Sequence, residues 1–186
     1  MSAGVSAVLR KLKAFPVEKF VGDVFRVTGL GSDPLAPSVN GGRWAPPSRS
    51  GPTAPVLYTS FEREGARAEV CSHLVQLNPV PAARPLKVSR LGVSTGRSLR
   101  LARGDLEALG VEMSRYGERD YARTQEVGGA AASLDIDGLI APSARWPCDN
   151  LMIFTNNHHA GERLEVVGSE EVEWRARARS HGFLGA

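Results

Sequence analysis

The chain has 186 residues, of which 42% are hydrophobic and 23% are charged, and its formal net charge is +3. This composition is typical of a globular protein with one full-sized core, and it excludes a disordered chain. No apolar run is long enough to cross a bilayer, and basic residues from Arg10 onward interrupt the N-terminus before a secretory signal could form. With only Cys71 and Cys148 there is no disulfide framework, so we expect a cytoplasmic protein without a membrane partner.

The positive charge is concentrated in residues 1–20. This segment holds Arg10, Lys11, Lys13 and Lys19 against Glu18, which accounts for the whole excess. The rest of the chain is balanced, and no long basic stripe with interleaved aromatic residues is present. Direct binding of nucleic acid is therefore disfavoured.

The predicted elements mix helices and strands without regular alternation, which favours an α+β fold with a single domain. Residues 1–20 are predicted to form a helical extension that stops at Pro16, and residues 171–186 a solvated tail of alternating charge. Strands are predicted at 21–29, 56–60, 85–93, 97–101, 137–143, 150–155 and 162–169, and helices at 60–77, 103–110 and 117–134. Thr59 and Glu62 have the spacing of a capping box at the start of the first of these helices.

A long segment rich in Gly, Pro and Ser, residues 31–55, is predicted to be a loop. Loops of this length in a domain are usually functional or disordered. It contains N-G-G-R-W-A-P-P, where the glycines would let the backbone approach a ligand closely. Arg43 and Trp44 therefore either grip a planar anionic ligand or form a turn anchored by the indole.

Several single residues could carry chemistry, although each also has an ordinary structural interpretation. On a helix, Glu69 would be surrounded by small residues that leave room for a ligand, or it is simply a surface carboxylate. Arg26 lies in a predicted strand and faces either a ligand or solvent. Tyr58 ends a strand before a helix, where side chains often point into a cleft. Ser143 has no nucleophile elbow and no His/Asp partner set, so it is not predicted to be an acyl-transfer nucleophile.

A metal site is not predicted. His158 and His159 are adjacent, so they cannot share one helical face, and with Cys148 they make a poor ligand set. No phosphate-binding loop of the Walker type and no dinucleotide fingerprint is present.

The order of these residues carries more information than any one of them. Arg26 in a strand is followed by G-G-R-W with Arg43, L-Y-T-S with Tyr58, A-R-A-E-V with Glu69, Y-A-R-T-Q, D-G-L-I-A-P-S with Ser143, and N-L-M-I-F. This succession resembles the RES domain family, which is named for an arginine, a glutamate and a serine. The resemblance runs from about residue 21 to 167, and we expect the domain itself to span 21–170. Ala45 departs from the family, in which an Asn commonly follows the Trp.

The resemblance implies a mixed central sheet with flanking helices, similar to ADP-ribosyltransferase toxins. It also implies a bacterial toxin of a type II toxin–antitoxin pair, with an Xre-type antitoxin as partner and contact with nucleic acid only through that antitoxin. A homodimer within the complex would also be consistent with the family. NAD⁺ would be the substrate rather than a bound cofactor, and the bond between nicotinamide and ribose would be cleaved. Water, phosphate or a protein side chain would be the acceptor.

The roles of the residues follow from that chemistry. Glu69 would stabilise the positive charge that develops on the ribose when nicotinamide leaves. Arg26 and Arg43 would bind the pyrophosphate through planar guanidinium groups. Tyr58 would stack on nicotinamide, and Ser143 would hydrogen-bond to the ligand. On this basis Glu69, Arg26 and Tyr58 are the expected catalytic residues, and Trp44 is expected to anchor its loop.

Two other functions remain open at this point. An ADP-ribosyltransferase that modifies a protein would use the same residues. A module that binds a nucleotide or an antitoxin without catalysis would also need the cavity, although not the carboxylate chemistry.

Overall fold

The structure is a computed structural model that describes residues 3–38, 40–46, 54–180 and 182–184. In this part of the chain the strands are β1 (Val17–Gly29), β2 (Val56–Ser60), β3 (Leu86–Arg100), β4 (Gly138–Pro142), β5 (Asp149–Phe154) and β6 (Leu164–Val172). The helices are α1 (Ala3–Leu12), α2 (Arg63–Leu74), α3 (Arg103–Ala108), α4 (Ala122–Ala132) and α5 (Trp174–Ser180). A single 3₁₀ turn, Met113–Arg115, precedes α4.

The six strands form one mixed sheet in the order β1-β2-β5-β4-β3-β6. Only β3 and β4 run parallel, and every other pairing is antiparallel. Strand β1 also pairs with β3 along nearly its whole length, so five of the strands close into a ring. The first half of β3 uses its other edge to pair with β6, and its last three residues pair with β4. The α+β class and the mixed central sheet with flanking helices are therefore confirmed.

The core of the described residues has three parts. Successive side chains along a strand point to opposite faces of the sheet, so the two faces contribute to different parts. The inside of the ring holds a small apolar cluster that includes Leu57, Leu91 and Ile153. The outer face of β2, β4 and β5 packs against α1, α3 and α4 through a larger cluster that includes Trp44. The third cluster lies between α2, α5 and the start of β3.

The prediction of a helical extension over residues 1–20 is wrong in where the helix ends and in where the sheet begins. The first helix ends at Leu12, and Val17 already begins β1, so residues 17–20 belong to the sheet rather than to a helical extension. The helix itself buries Val8 and Leu12, one turn apart, in the cluster that also contains α4. Residues 1 and 2 lie outside the described residues.

The two strands predicted at 85–93 and 97–101 are one continuous strand of 15 residues. Gly96 looks like a turn signal in the sequence, but β1 is long enough to pair with the intervening backbone, including Ser94 and Thr95. A distant partner strand thus overrides the local signal.

The predicted capping box at the start of α2 is wrong. Thr59 lies inside β2, and its hydroxyl donates to the Leu151 carbonyl at 2.7 Å. The helix begins at Arg63, and its N-cap residue, Glu62, makes no side-chain capping bond. Likewise α4 begins at Ala122, so residues 117–121 of the predicted longer helix form a turn that ends at Tyr121.

The described part of the predicted solvated tail, residues 171–180 and 182–184, is folded onto the domain, and residues 181, 185 and 186 lie outside the described residues. Residues up to Val172 continue β6, and α5 follows directly. Trp174 is only 1% exposed and Ala178 is fully buried against α2 and β3. The alternating charges mark the outer face of a short helix whose inner face belongs to the core.

The predicted loop is long in the structure as well. Its described residues form only isolated bridges, Ser38 with Val56 and Gly42 with Ala45. Residues 39 and 47–53 of the predicted loop lie outside the described residues.

Candidate functional site

The pairing of three strands brings polar residues to one end of the sheet. Asn150 of β5 lies opposite Ser60 of β2 on one side and Ala141 of β4 on the other. Ser143 follows the last residue of β4, and α2 starts three residues after β2 ends. Glu69, in the second turn of α2, therefore lies above the ends of these strands.

Glu69 is oriented by two hydrogen bonds to the same carboxylate oxygen. Its Oε1 accepts from the Ser143 hydroxyl at 2.7 Å and from the Asn150 amide Nδ2 at 3.1 Å. No donor to Oε2 is found among the described residues. One oxygen is thus fixed by the protein, while the other is available to a ligand in the cavity that Glu69 lines.

Ser143 is hydrogen-bonded to Glu69 and to the loop that follows β4. It is 3% exposed, and its Oγ accepts from the backbone N–H groups of Arg145 and Trp146 at 3.0 and 3.2 Å while it donates to Glu69. The hydroxyl hydrogen and the oxygen lone pairs are therefore already used within the protein. The hydrogen bond from Ser143 to a ligand that the resemblance implied stays a prediction.

The cavity beside Glu69 has a volume of about 570 Å³, which is within the usual range for small-molecule sites. Four arginines line it: Arg26, Arg43, Arg119 and Arg145. Glu69 is the one acidic residue among the lining residues described, so the cavity favours an anionic ligand.

Arg43 reaches this cavity from the G-G-R-W loop. Its Cζ lies 4.7 Å from the ring centroids of both Tyr116 and Tyr121, and its Nη2 approaches the Glu118 carbonyl at 3.4 Å. The neighbouring Trp44 is 3% exposed and belongs to the core. The indole therefore anchors the loop, as expected, and the guanidinium lines the cavity, while its contact with an anionic ligand stays a prediction.

Gly42 of this loop is required by close packing. A Cβ on Gly42 would lie 2.6 Å from the Tyr58 hydroxyl oxygen, and that oxygen accepts a hydrogen bond from the Trp44 N–H at 3.2 Å. The amide of Gln125, in α4, donates to the Gly42 carbonyl at 2.9 Å. A side chain at position 42 would thus displace the loop from both β2 and α4.

Tyr58 lines the cavity from β2 with its hydroxyl turned toward the loop. Burial is the main cause that raises its pKa to about 12, so the phenol is neutral at physiological pH. The ring is half-buried at the wall of the cavity.

Arg26 lines the cavity but is partly committed to the protein. Its Nη1 donates to the carbonyls of Pro34 and Ala36, at 2.9 and 2.7 Å, and so holds the start of the long loop against β1. Burial lowers the pKa of this guanidinium, and Asp33 acts in the opposite direction. The expected role in binding pyrophosphate therefore comes with a structural role.

The sequence did not single out several residues of the site. Asn150 is the polar residue that opens the apolar run N-L-M-I-F, and only the strand register shows that it meets Glu69. Arg119 and Arg145 look like surface residues in the sequence. His73, one turn beyond Glu69, also lines the cavity, and burial followed by the nearby charge of Arg119 lowers its pKa.

The part of the chain that the structure describes contains neither a metal-binding cluster nor a membrane-spanning helix. Within the described ranges, no group of three or more His, Cys, Asp or Glu side chains could hold a metal ion. In the same ranges, no helix has both the length and the apolar character needed to cross a bilayer.

The comparisons with known proteins concern the fold and the family of the chain. A chain of the crystal structure of the M. tuberculosis MbcT–MbcA toxin–antitoxin complex shares the fold, with a TM-score of 0.79 and 20% sequence identity. The match covers 97% of this chain and 98% of that one. No curated protein matches the chain in sequence. The family model described as RES domain matches residues 23–176, which contain Arg26, Arg43, Tyr58, Glu69 and Ser143, and the chain therefore belongs to the RES domain family.

Proposed function

We propose that this protein is the toxin of a toxin–antitoxin pair and that it degrades NAD⁺ by cleaving the bond between nicotinamide and ribose. Nicotinamide leaves with the electrons of that bond, and water or phosphate forms the new bond to the ribose carbon. The observation that carries the proposal is the state of Glu69. It is a carboxylate with one oxygen fixed by Ser143 and Asn150 and the other available in an arginine-lined cavity.

The chemistry requires a carboxylate held in this way. The nicotinamide of NAD⁺ is already cationic and leaves without a general acid, so positive charge develops on the ribose as in glycoside hydrolysis. A carboxylate that is oriented before the reaction stabilises this charge without reorganising. Oε2 of Glu69 supplies the charge, and its fixed Oε1 limits rotation of the group.

The rest of the cavity suits the rest of the substrate. The pyrophosphate carries two negative charges, and guanidinium groups match phosphate oxygens in pairs. Arg43 and Arg145 have N–H donors with no acceptor, or only a long one, among the described residues. The neutral ring of Tyr58 supplies a flat apolar surface for nicotinamide.

The proposed partner is an Xre-type antitoxin. The support is membership of the RES domain family and a shared fold with a chain of a toxin–antitoxin complex. We place the pair in the bacterial cytoplasm, where NAD⁺ is available.

The test is an incubation of the purified protein with NAD⁺ labelled in the adenylate part. We expect free nicotinamide, measured by chromatography, in proportion to the loss of NAD⁺, and no label on protein. Label transferred to a protein in a cell extract would support an ADP-ribosyltransferase instead. Intact NAD⁺ that is bound but not consumed would leave only a binding module.

A further inference from the structure

Among the described residues, aromatic rings hold the guanidinium group of Arg43, and acidic side chains do not. The Arg43 Cζ lies over the rings of both Tyr116 and Tyr121, at the same distance of 4.7 Å from each centroid. Within the described residues Arg43 makes no ion pair, and its one hydrogen bond within the protein, to the Glu118 carbonyl, is long at 3.4 Å. The contacts that hold this cation therefore leave most of its N–H donors unused.

Aromatic rings and a carboxylate differ in what they leave available on a guanidinium group. A carboxylate at the same place would fix the guanidinium equally well, but it would occupy the N–H groups and neutralise the charge. The faces of aromatic rings attract a cation through their quadrupole and accept no N–H bond in the plane of the guanidinium. In the described residues no carboxylate pairs with the charge of Arg43, and its guanidinium retains donors for phosphate oxygens.

Tyr116 connects this cation to the other end of the site. It is 5% exposed, and its hydroxyl donates to the Pro142 carbonyl at 2.8 Å. The residue after Pro142 is Ser143, which donates to Glu69. A continuous series of contacts therefore runs from Arg43 through the Tyr116 ring and hydroxyl to the carboxylate.

We propose that Tyr116 and Tyr121, here called the tyrosine pair, are positioning residues. Both hold Arg43 in the cavity with its donors free, and Tyr116 also fixes the position of Glu69 relative to Arg43. Arg43 and Glu69, which would bind different parts of the dinucleotide, are thereby kept at a fixed separation. The effect on catalysis rests on the proposed function, whereas the effect on Arg43 does not.

The two residues are predicted to have separable effects. Tyr121→Leu removes one ring, so the KM for NAD⁺ should rise about 2- to 30-fold with little change in kcat. Tyr121→Phe keeps the ring face and is the conservative variant, so it should recover most of the rise in KM that Tyr121→Leu causes. Tyr116→Phe keeps the ring but removes the bond to Pro142, so kcat should fall while KM stays nearly constant.

A double-mutant cycle separates positioning from direct contact, since Tyr121 also lines the cavity. In an Arg43→Ala background, Tyr121→Leu should have little further effect on KM, because the pair acts through Arg43. If Tyr121→Leu raises KM by the same factor in the Arg43→Ala background as in the parent, the proposal is overturned.

Nuclear magnetic resonance tests the pair without any activity. The Arg43 Nε–Hε signal, assigned by its loss in Arg43→Lys, should be shifted upfield by the ring currents and should move downfield in Tyr121→Leu but not in Tyr121→Phe. An Hε shift that is the same in Tyr121→Leu and the parent would overturn the proposal. A parent that neither cleaves nor binds NAD⁺ would refute the proposed function, and the Hε shift would still decide whether the tyrosine pair holds Arg43.

Discussion

The two donors on Oε1 of Glu69 set the orientation of the carboxylate at the scale of single residues. Ser143 is fixed in turn by two backbone N–H groups of the loop between β4 and β5. Asn150 is fixed by its place in the central strand β5. Two independent elements thus hold one side chain, as a site that depends on preorganised charge requires.

Replacement of Asn150 by Ala is expected to lower kcat without a matching rise in KM. The change removes one donor to Oε1 and lets the carboxylate turn, and a misplacement of this kind can cost about 10²-fold in rate. Steady-state kinetics on NAD⁺ measures the effect. Replacement of the exposed Asn156 by Ala is the matched control and should leave kcat unchanged. A parental kcat in folded Asn150→Ala would mean that Ser143 alone suffices.

Lysine substitutions are expected to distinguish the two arginines of the expected pyrophosphate site. Arg43→Lys keeps a cation against the tyrosine rings but loses the planar fork, so KM should rise roughly tenfold while the melting temperature changes little. Arg26→Lys loses the link to two carbonyls of the loop and should lower the free energy of unfolding by about 1–2 kcal/mol in addition to any change in KM.

Both quantities are to be measured on the same preparations of these lysine variants. A lower melting temperature with unchanged KM in Arg43→Lys would show that the G-G-R-W loop is only structural. Unchanged stability in Arg26→Lys would show that its bonds to Pro34 and Ala36 are not important in solution.

At the scale of elements, α4 is the support on which the G-G-R-W loop rests. Gln125 donates to the Gly42 carbonyl, and one turn later Gly128 lies directly beneath the backbone of Trp44. A Cβ on Gly128 would lie 1.8 Å from the Trp44 carbonyl oxygen. Because Gly128 has no side chain, the backbone of the loop can lie in contact with the helix.

Two adjacent glycines of α4 are expected to respond in opposite ways to alanine. Gly129→Ala adds a Cβ with nothing within 4 Å, so it should stabilise the protein by about 0.5–1 kcal/mol through helix propensity. Gly128→Ala should destabilise it by about 1–3 kcal/mol through overpacking, and it should raise the KM for NAD⁺ because the loop with Arg43 must move. Chemical denaturation and kinetics on both variants test this. Equal stabilisation by the two substitutions would contradict the close packing of loop and helix.

Most elements could be predicted from the sequence because their patterns are local. The apolar run at 56–60 coincides with β2, and those at 137–143 and 150–155 match β4 and β5 to within one residue at each end. The division of β3 was wrong because its continuity depends on β1, some 70 residues earlier in the chain. The same limit applies to the site, where Glu69, Arg43 and Tyr58 were chosen for their motifs. Asn150 and Tyr116 were missed because only the strand register and the loop packing bring them to the site.

At the scale of the whole molecule, α5 completes the core. It covers α2 through Trp174 and Ala178, and the Cys71 thiol donates to the Trp174 carbonyl at 3.6 Å. Because α2 carries Glu69, the last helix supports the helix on which the site depends.

Trp174→Ala is expected to reduce the free energy of unfolding by about 3–5 kcal/mol, the usual cost of removing a fully buried Trp side chain. Arg177→Ala, on the exposed face of the same helix, is the control and should change it by less than about 0.5 kcal/mol. Urea denaturation followed by circular dichroism measures both. A small effect of Trp174→Ala would restore the interpretation of residues 171–186 as a solvated tail.

The central claim is that the Glu69 carboxylate drives cleavage of NAD⁺ between nicotinamide and ribose. Its most direct test is the rate of nicotinamide release from NAD⁺ by Glu69→Gln, with Glu107→Gln on the exposed face of α3 as the control. The substitution at position 69 keeps the size of the side chain and removes its charge, so the rate should fall by roughly 10²–10³ while the melting temperature stays near that of the parent. The control should keep the parental rate. Release of nicotinamide at the parental rate by folded Glu69→Gln would contradict the account.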